Sequence, residues 1–439
     1  MDGPRATPAD AAQRASPREV AAVVSGNALE FYDFLTYAFF AASIGRSFFP
    51  SHDSTTSLLA SLATFGVGFC MRPVGAFVLG RLGDKRGRKP AMLLSFGLMG
   101  LGMVGLAVTP GYGTIGVMAP VLAVLWRLVQ GFALGGEVGP TTAFLAEAAP
   151  PGMRGLYVSF QLFGQRAAAL GAGLIGLGLS HLMSAQTLDA WGWRIAFLVG
   201  GVIIPFGLIL RSGLVETLAS QDPAEPETPE RRGLVAFALL SVVVMIGGTV
   251  SSYVTDYLTT YATQTLGMGA AVGFAAPVAS GLAGIVVAPL AGRLSDRVGR
   301  KPVMLGSWAV VLLGALPMFT LLEHSRSLLP LVILSAGLSA CMVSAIAGLL
   351  STLGEGLPMR MRSGVLGLAY AGAVAVFGGT TQYMVAWLTK QTHSPLAPAW
   401  YLTAAVGVSF LAMLALPETA PARAGGRALR QTSDARIAA

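Results

Sequence analysis

The stretch GRLGDKRGRKP, from Gly80 to Pro90, gathers Arg81, Lys85, Arg86, Arg88 and Lys89 between two runs almost free of charge. Nearly the same line returns as GRLSDRVGRKP, from Gly292 to Pro302. At an offset of 212 residues, eight of the eleven positions are identical, and Lys85 faces the similar Arg297. A second echo follows at an offset of 208, where the ExxPxxxR spacing of Glu147, Pro150 and Arg154 repeats as Glu355, Pro358 and Arg362. Two landmarks recurring in order at nearly one distance imply two homologous halves running parallel. Chance likeness between basic loops does not account for them, because Gly, Asp and Pro repeat along with the cations.

What kind of halves follows from composition. Of 439 residues, 54% are hydrophobic and 11% charged, and mean hydropathy is +0.67. A soluble domain is about one quarter charged, so this chain belongs in a lipid bilayer. Apolar runs broken by Gly, Pro and charge predict twelve helices, at 20–44, 57–80, 91–110, 116–147, 157–181, 193–211, 235–262, 270–292, 303–322, 328–352, 363–389 and 398–416. The polar interruption at 213–234 divides them six and six. The expected organisation is a tail at 1–19, a six-helix bundle at 20–212, a linker at 213–234, a second bundle at 235–416 and a tail at 417–439. The fold class is all-α, with twelve transmembrane helices in two pseudo-symmetric bundles.

Lys and Arg orient these spans. The side that holds both tails carries 22 of them and the opposite side four: Arg46, Arg194, Arg326 and Lys390. Such a bias predicts that both tails are cytoplasmic. It also explains a net charge of +8 without nucleic acid, since the cations sit in short loops and not on one soluble face. The first twenty residues lack the basic-then-apolar order of a cleaved signal peptide. Cys70 and Cys341 fall inside predicted spans and read as reduced, packed thiols.

Beyond their repetition, these motifs resemble the signature loop of the major facilitator superfamily. RLVQGFALGG (127–136) is similar to that superfamily's helix-4 motif. SGNALEFYDF (25–34), GFCMRPVGAFVLG (68–80), GGEVG (135–139), WGWRIAF (191–197) and FGGTTQYMVAWL (377–388) narrow the likeness to the metabolite:proton symporter family. Within it, their order and spacing look most similar to the citrate, tricarballylate and 2-oxoglutarate symporters. The resemblance implies a major facilitator fold in a bacterial inner membrane and import of an organic anion with protons by alternating access. It implies no cofactor or metal, and a chain that works as a monomer. It also implies that Gly80, Asp84, Arg88, Glu147, Arg154, Asp296, Arg300, Glu355 and Arg362 form an ion-pair network that latches the halves on the cytoplasmic side. A carboxylate at a helix C-terminus needs a nearby cation or another helix's N-terminus, and Arg88, Arg154, Arg300 and Arg362 are the cations at hand.

An ionisable side chain in hydrocarbon costs on the order of 3 kcal/mol, so each buried charge is a candidate functional group. Helix 1 carries Asn27, Glu30 and Asp33 at successive i+3 steps, with Tyr37 one turn further on. Two carboxylates one turn apart resist being ionised together, which suits proton pick-up. Asp33 is the first candidate proton carrier and Glu30 the second; a permanent structural pair with Arg72 or Arg127 is the alternative. On helix 4, Arg127, Gln130, Leu134, Glu137 and Thr141 form one stripe, beside a small-residue seam of Gly131, Gly135 and Gly139. Arg127 matches the superfamily arginine tied to proton coupling, and Glu137 is its counter-ion or a second titrating group. Because guanidinium forks suit carboxylates, Arg72, Arg127 and Arg166 are expected to attract a di- or tricarboxylate. Gln130, Asn27, Tyr37, Gln161, Gln165, Tyr253, Tyr257 and Gln382 are further candidate substrate contacts. Tyr253 and Tyr257 serve equally well as packing. Arg194 is a candidate outer gate. Arg166 and Asp256 both stand where the resemblance leads one to expect no charge, and Asp256 reads either as an extra proton site or as the partner of a distant cation. His52, His181, His324 and His393 fall near outer loops and make poor relays.

Two other cargoes compete. A drug/proton antiporter of this superfamily would carry a Gly-Pro motif on helix 5, yet 163–176 has no proline. A symporter of a zwitterionic osmolyte would keep the family but change the substrate; some carry long C-terminal coiled coils, whereas the tail here is short and lacks heptads. An enzyme or receptor finds no metal cluster, phosphate loop or nucleophile arrangement in the sequence.

Overall fold

The computed structural model describes residues 17–86, 88–135, 138–150, 152–212, 231–356 and 372–420. Among them there is no β-strand. The helices group into twelve segments. In the first half, α1 comprises Pro17–Phe39 and Ala41–Phe48, α2 comprises Ser54–Cys70 and Arg72–Arg86, and α3 is Arg88–Val108. Next, α4 comprises Met118–Leu134 and Val138–Ala148, α5 is Arg154–Leu182 and α6 is Trp193–Ser212. In the second half, α7 is Arg231–Thr260, α8 is Ala270–Val298, α9 is Arg300–Ser325 and α10 is Leu328–Gly356. The last two are α11, Gly379–Thr392, and α12, Ala397–Ala415. A π-helical turn, Tyr261–Thr265, extends α7, and another, Val374–Gly378, leads into α11. The predicted single helix at 116–147 is thus described as two pieces, and only the C-terminal part of the predicted helix at 363–389 is described.

Two apolar cores follow the sequence halves. One gathers residues mainly of α1–α6 and the other mainly of α7–α12. Tyr253, Phe274 and Val374 cross into the first core, and Leu58, Leu62, Val158 and Leu162 cross into the second. The halves join most extensively where α5 lies along α8. A Cβ on Gly292 would sit 2.5 Å from the Gly155 carbonyl oxygen, and one on Gly281 would sit 2.6 Å from the Leu170 amide nitrogen. Glycine is required there because the two backbones touch. The opposite face of α8 shows Leu282, Val286, Leu290 and Leu294 at i+4 steps, each at least half exposed. An apolar stripe on the outside and small residues on the inside mark a helix set between lipid and protein. Among the described residues, seven helices are long and apolar enough to cross a bilayer on length and composition alone.

Candidate functional site

The site is built by glycine packing between α2 and α4. A Cβ on Gly68 would lie 3.0 Å from the Arg127 carbonyl oxygen, and Gly131 and Gly135 abut the backbone at Gly68 and Arg72 more closely still. This contact brings Arg72 of α2 and Arg127 of α4 to one cleft, which α1 closes with Asp33. Arg127 Nη1 donates to Gln130 Oε1 at 2.7 Å, and Gln130 Nε2 donates to Asp33 Oδ1 at 2.9 Å. Arg127 Nη1 also lies 3.5 Å from Asp33 Oδ2, with both side chains no more than 3% exposed. The Arg127 guanidinium stacks 4.4 Å from the Tyr37 ring centroid, and the Tyr37 hydroxyl donates to the Ser61 carbonyl at 3.1 Å.

Arg72 differs from Arg127. It is 5% exposed and makes no ion pair among the described residues; its guanidinium sits 3.9 Å from the Phe69 ring and 5.3 Å from Phe34. The cleft lining therefore holds two guanidinium groups and one carboxylate, Asp33. Its free space is about 10 Å³, room for roughly one water molecule. Tyr253 of α7 covers it from the second half, edge-on to Phe34 at 5.5 Å and to Phe69 at 5.7 Å. Gln382 of α11 stands behind, donating to the Tyr253 carbonyl at 3.4 Å and leaving Oε1 without a partner. Glu30 and Asn27 are buried one and two turns away on α1, and neither end of the Asn27 amide has a hydrogen-bond partner.

Several expected members lie elsewhere. Arg166, expected among the substrate arginines, instead faces Asp256 of α7 at 3.6 Å, and its Nη2 donates to Ser252 at 3.3 Å. Gln161 accepts a 2.6 Å bond from Thr142, and Gln165 is buried on α5; neither lines the cleft. Tyr257 is packed into the core of the second half. Arg194 does not span the halves: Nη1 donates to the carbonyls of Ala107 and Thr109 at 2.6 and 2.7 Å, satisfying the C-terminal end of α3. Glu137 and Arg362 lie outside the described residues, as do the side chains of Asp84, Arg88 and Glu147. Gly80 is exposed with open space around it.

The second motif copy is fully described. Asp296 accepts from the backbone amides of Gly155 and Leu156 at 2.8 and 3.0 Å, so the N-terminus of α5 holds this carboxylate. The Arg154 side chain, expected as its partner, is exposed instead. Arg300 pairs with Asp296 at 2.7 Å and with Glu355 at 2.8 Å. Glu418, which the sequence did not single out, accepts from the amides of Arg300 and Lys301 and caps α9. Burial alone would raise its pKa, but those backbone bonds and the Arg300 charge leave it lowered. Sequence reasoning also missed contacts at the opposite end. There Arg46 pairs with Asp189, with Nε donating to Oδ2 at 2.7 Å, and reaches Gln264 of the second half at 3.4 Å. Lys390 joins Asp53, the N-cap of α2, at 2.6 Å. The sparseness of cations on that side was the one available signal.

Twelve helical segments in two clusters, closed over a charged cleft, define a membrane transporter of the two-bundle class. Residues 23–369 match the Major Facilitator Superfamily profile, and the chain belongs to that superfamily; it is a transporter, not an enzyme. It is 34% identical to a citrate-proton symporter of Salmonella typhi over 89% of this chain and 92% of that protein. It is 36% identical to an alpha-ketoglutarate permease of Escherichia coli, covering 89% and 91%, and 33% identical to a proline/betaine transporter of Escherichia coli, covering 92% and 84%. A crystal structure of a D-xylose-proton symporter superposes with a TM-score of 0.75 at 18% identity, over 92% of this chain and 98% of that one.

Proposed function

We propose that this chain imports an organic anion, a di- or tricarboxylate of the citrate or 2-oxoglutarate kind, together with protons across a bacterial inner membrane. Both tails are then cytoplasmic, the two motif copies face the cytoplasm, and the Arg46 and Lys390 contacts face outward. One observation carries the reading. The cleft lining has two guanidiniums for one carboxylate, and Arg72 is left for an anionic guest. Asp33 provides the coupling. Ionised, it holds Arg127 directly and through Gln130; protonated, it gives up the ion pair and frees Arg127 for a second carboxylate of the substrate. Proton and anion then favour the same loaded state, which is what symport needs. The halves rock about the α5–α8 seam to expose the cleft to each side in turn. In this reading Tyr253 covers the cleft from the second half, and the Arg46–Gln264 and Lys390–Asp53 contacts join the halves on the outer side, so a substrate coming from outside needs those to separate.

Relatives named for proline and betaine favour a second cargo, a zwitterion. That reading asks Asp33 to receive a cationic group, although Arg127 and Gln130 already occupy it.

Proteoliposomes offered labelled citrate, 2-oxoglutarate, proline and glycine betaine separate the two. Uptake of a carboxylate that rises with an inwardly directed proton gradient is expected. Accumulation of proline or betaine alone would replace the first reading by the second, and gradient-independent uptake would remove the proton.

A further inference from the structure

Arg166 and Asp256 are two buried charges that the central cleft does not use. They come from different halves, α5 and α7, and each side chain is 2% exposed. The second half is shaped to receive this arginine. Gly284 of α8 leaves the space through which the Arg166 stem passes, since a Cβ there would collide with it. Beyond that gap, Ser252 and Asp256 of α7 meet the guanidinium. The fit is incomplete: Arg166 Nη1 and Asp256 Oδ1 lack hydrogen-bond partners, and the ions sit 3.6 Å apart. A permanent buried pair is favourable only when its remaining donors and acceptors are satisfied. Asp256 also lies two turns along α7 from Gln264, the residue that Arg46 touches at the outer end.

We infer that Arg166 and Asp256 form an intramembrane lock between the halves, which holds the outer side closed and separates whenever that side opens. Parting the ions admits water to both, so the open form hydrates what the closed form pairs. The loose geometry keeps the closed form from becoming a trap. The inference rests on the alternating-access reading only in requiring that the outer side open, and it is independent of the cargo.

The test uses the full chain with Cys70 and Cys341 replaced by Ser and spin labels at Gln186→Cys and Gln391→Cys, exposed outer positions of the two halves. Electron–electron distances give the ratio of outer-open to outer-closed protein without any substrate. Arg166→Gln/Asp256→Asn should raise that ratio by about tenfold, as expected for loss of a close interfacial charge pair. Each single substitution should cut proton-driven uptake more than the double does, because it strands one charge. An unchanged ratio in the double variant overturns the lock. If that variant does not fold, Ser252→Cys with the native charges gives the second reading. Slow labelling by an impermeant thiol reagent added outside is expected, whereas complete protection while the spin labels report outer opening overturns the lock. A protein that never shows an outer-open distance would sink the alternating-access reading and the lock together.

Discussion

Among the described residues, the membrane interior of this protein holds two arginine–aspartate pairs of almost equal length, Asp33–Arg127 at 3.5 Å and Arg166–Asp256 at 3.6 Å. Both are buried to about the same degree. They differ in where their members stand. Asp33 and Arg127 belong to one half, share Gln130 as a bridge and border the cleft. Arg166 and Asp256 belong to different halves, have no bridging side chain among the described residues and do not line that cleft. A pair within one rigid body can stay assembled while the halves rock, so only a proton or a substrate changes it. A pair across the seam is changed by the rocking itself. Similar chemistry thus supports coupling in one place and conformational control in the other.

The largest effect that would break this comparison belongs to Asp33. Asp33→Asn should lower gradient-driven accumulation by about 100-fold, the upper range of coupling energies, while substrate exchange at equal pH persists. Counterflow measurements check this, and loss of exchange along with accumulation would make Asp33 a folding or binding residue instead. Asp256→Asn should leave the proton dependence of the remaining uptake intact although the rate falls. A flattened pH profile in that variant would erase the distinction between the pairs.

Smaller effects sharpen it. Asp296 binds two backbone amides, and charged hydrogen bonds of this kind contribute about 1.5–3 kcal/mol each. Asp296→Ala should therefore slow turnover by about tenfold or more with substrate affinity unchanged, read by comparing binding with transport. The smallest effect is expected at the outer surface. Lys390→Ala should move the open-to-closed ratio less than about fivefold, because exposed pairs contribute little. Asp53 and Asp189 both have lowered pKa values. For Asp53 the cause is hydrogen bonding to Lys390, Thr56 and Thr55; for Asp189, burial raises the pKa but bonds from Arg46 and Ser43 outweigh it. A depressed carboxylate stabilises its pair above the ordinary pKa and loses that contribution as pH falls through the lowered one. Acidifying the outside from about pH 7 to about pH 5, still above the usual carboxylate range, should leave these contacts closed. Distance measurements across that interval test the point.

Much of the fold was legible because it repeats. Gly, Asp and Pro recur with the cations of both motif copies, and the lopsided Lys and Arg distribution reads independently of them. The cleft was legible where residues share one helix, as Arg127 and Gln130 do at an i+3 step. Arg72 joined them through a glycine seam whose α4 half was visible in Gly131 and Gly135. What lies across the chain was not legible. No periodicity ties Arg166 to Asp256 ninety residues away, so Arg166 read as a substrate ligand, although partner of a distant cation was one of the two readings of Asp256. Arg194 stood out as a gate candidate through its WGWR motif near the outer face, and nothing in the sequence hints that free carbonyls of α3 await it. Glu418 went unnoticed because it follows the last apolar run, where composition alone predicts only a tail.

The backbone contact between Gly155 and Gly292 has a mechanical consequence. The two glycines offer no Cβ to interlock, so once Asp296 releases the amides of Gly155 and Leu156, α5 can roll on α8 through a small angle without first climbing over a neighbour. Adding even one methyl group there would turn a smooth bearing into a ratchet, and the swing between orientations would slow before any bound molecule felt the difference.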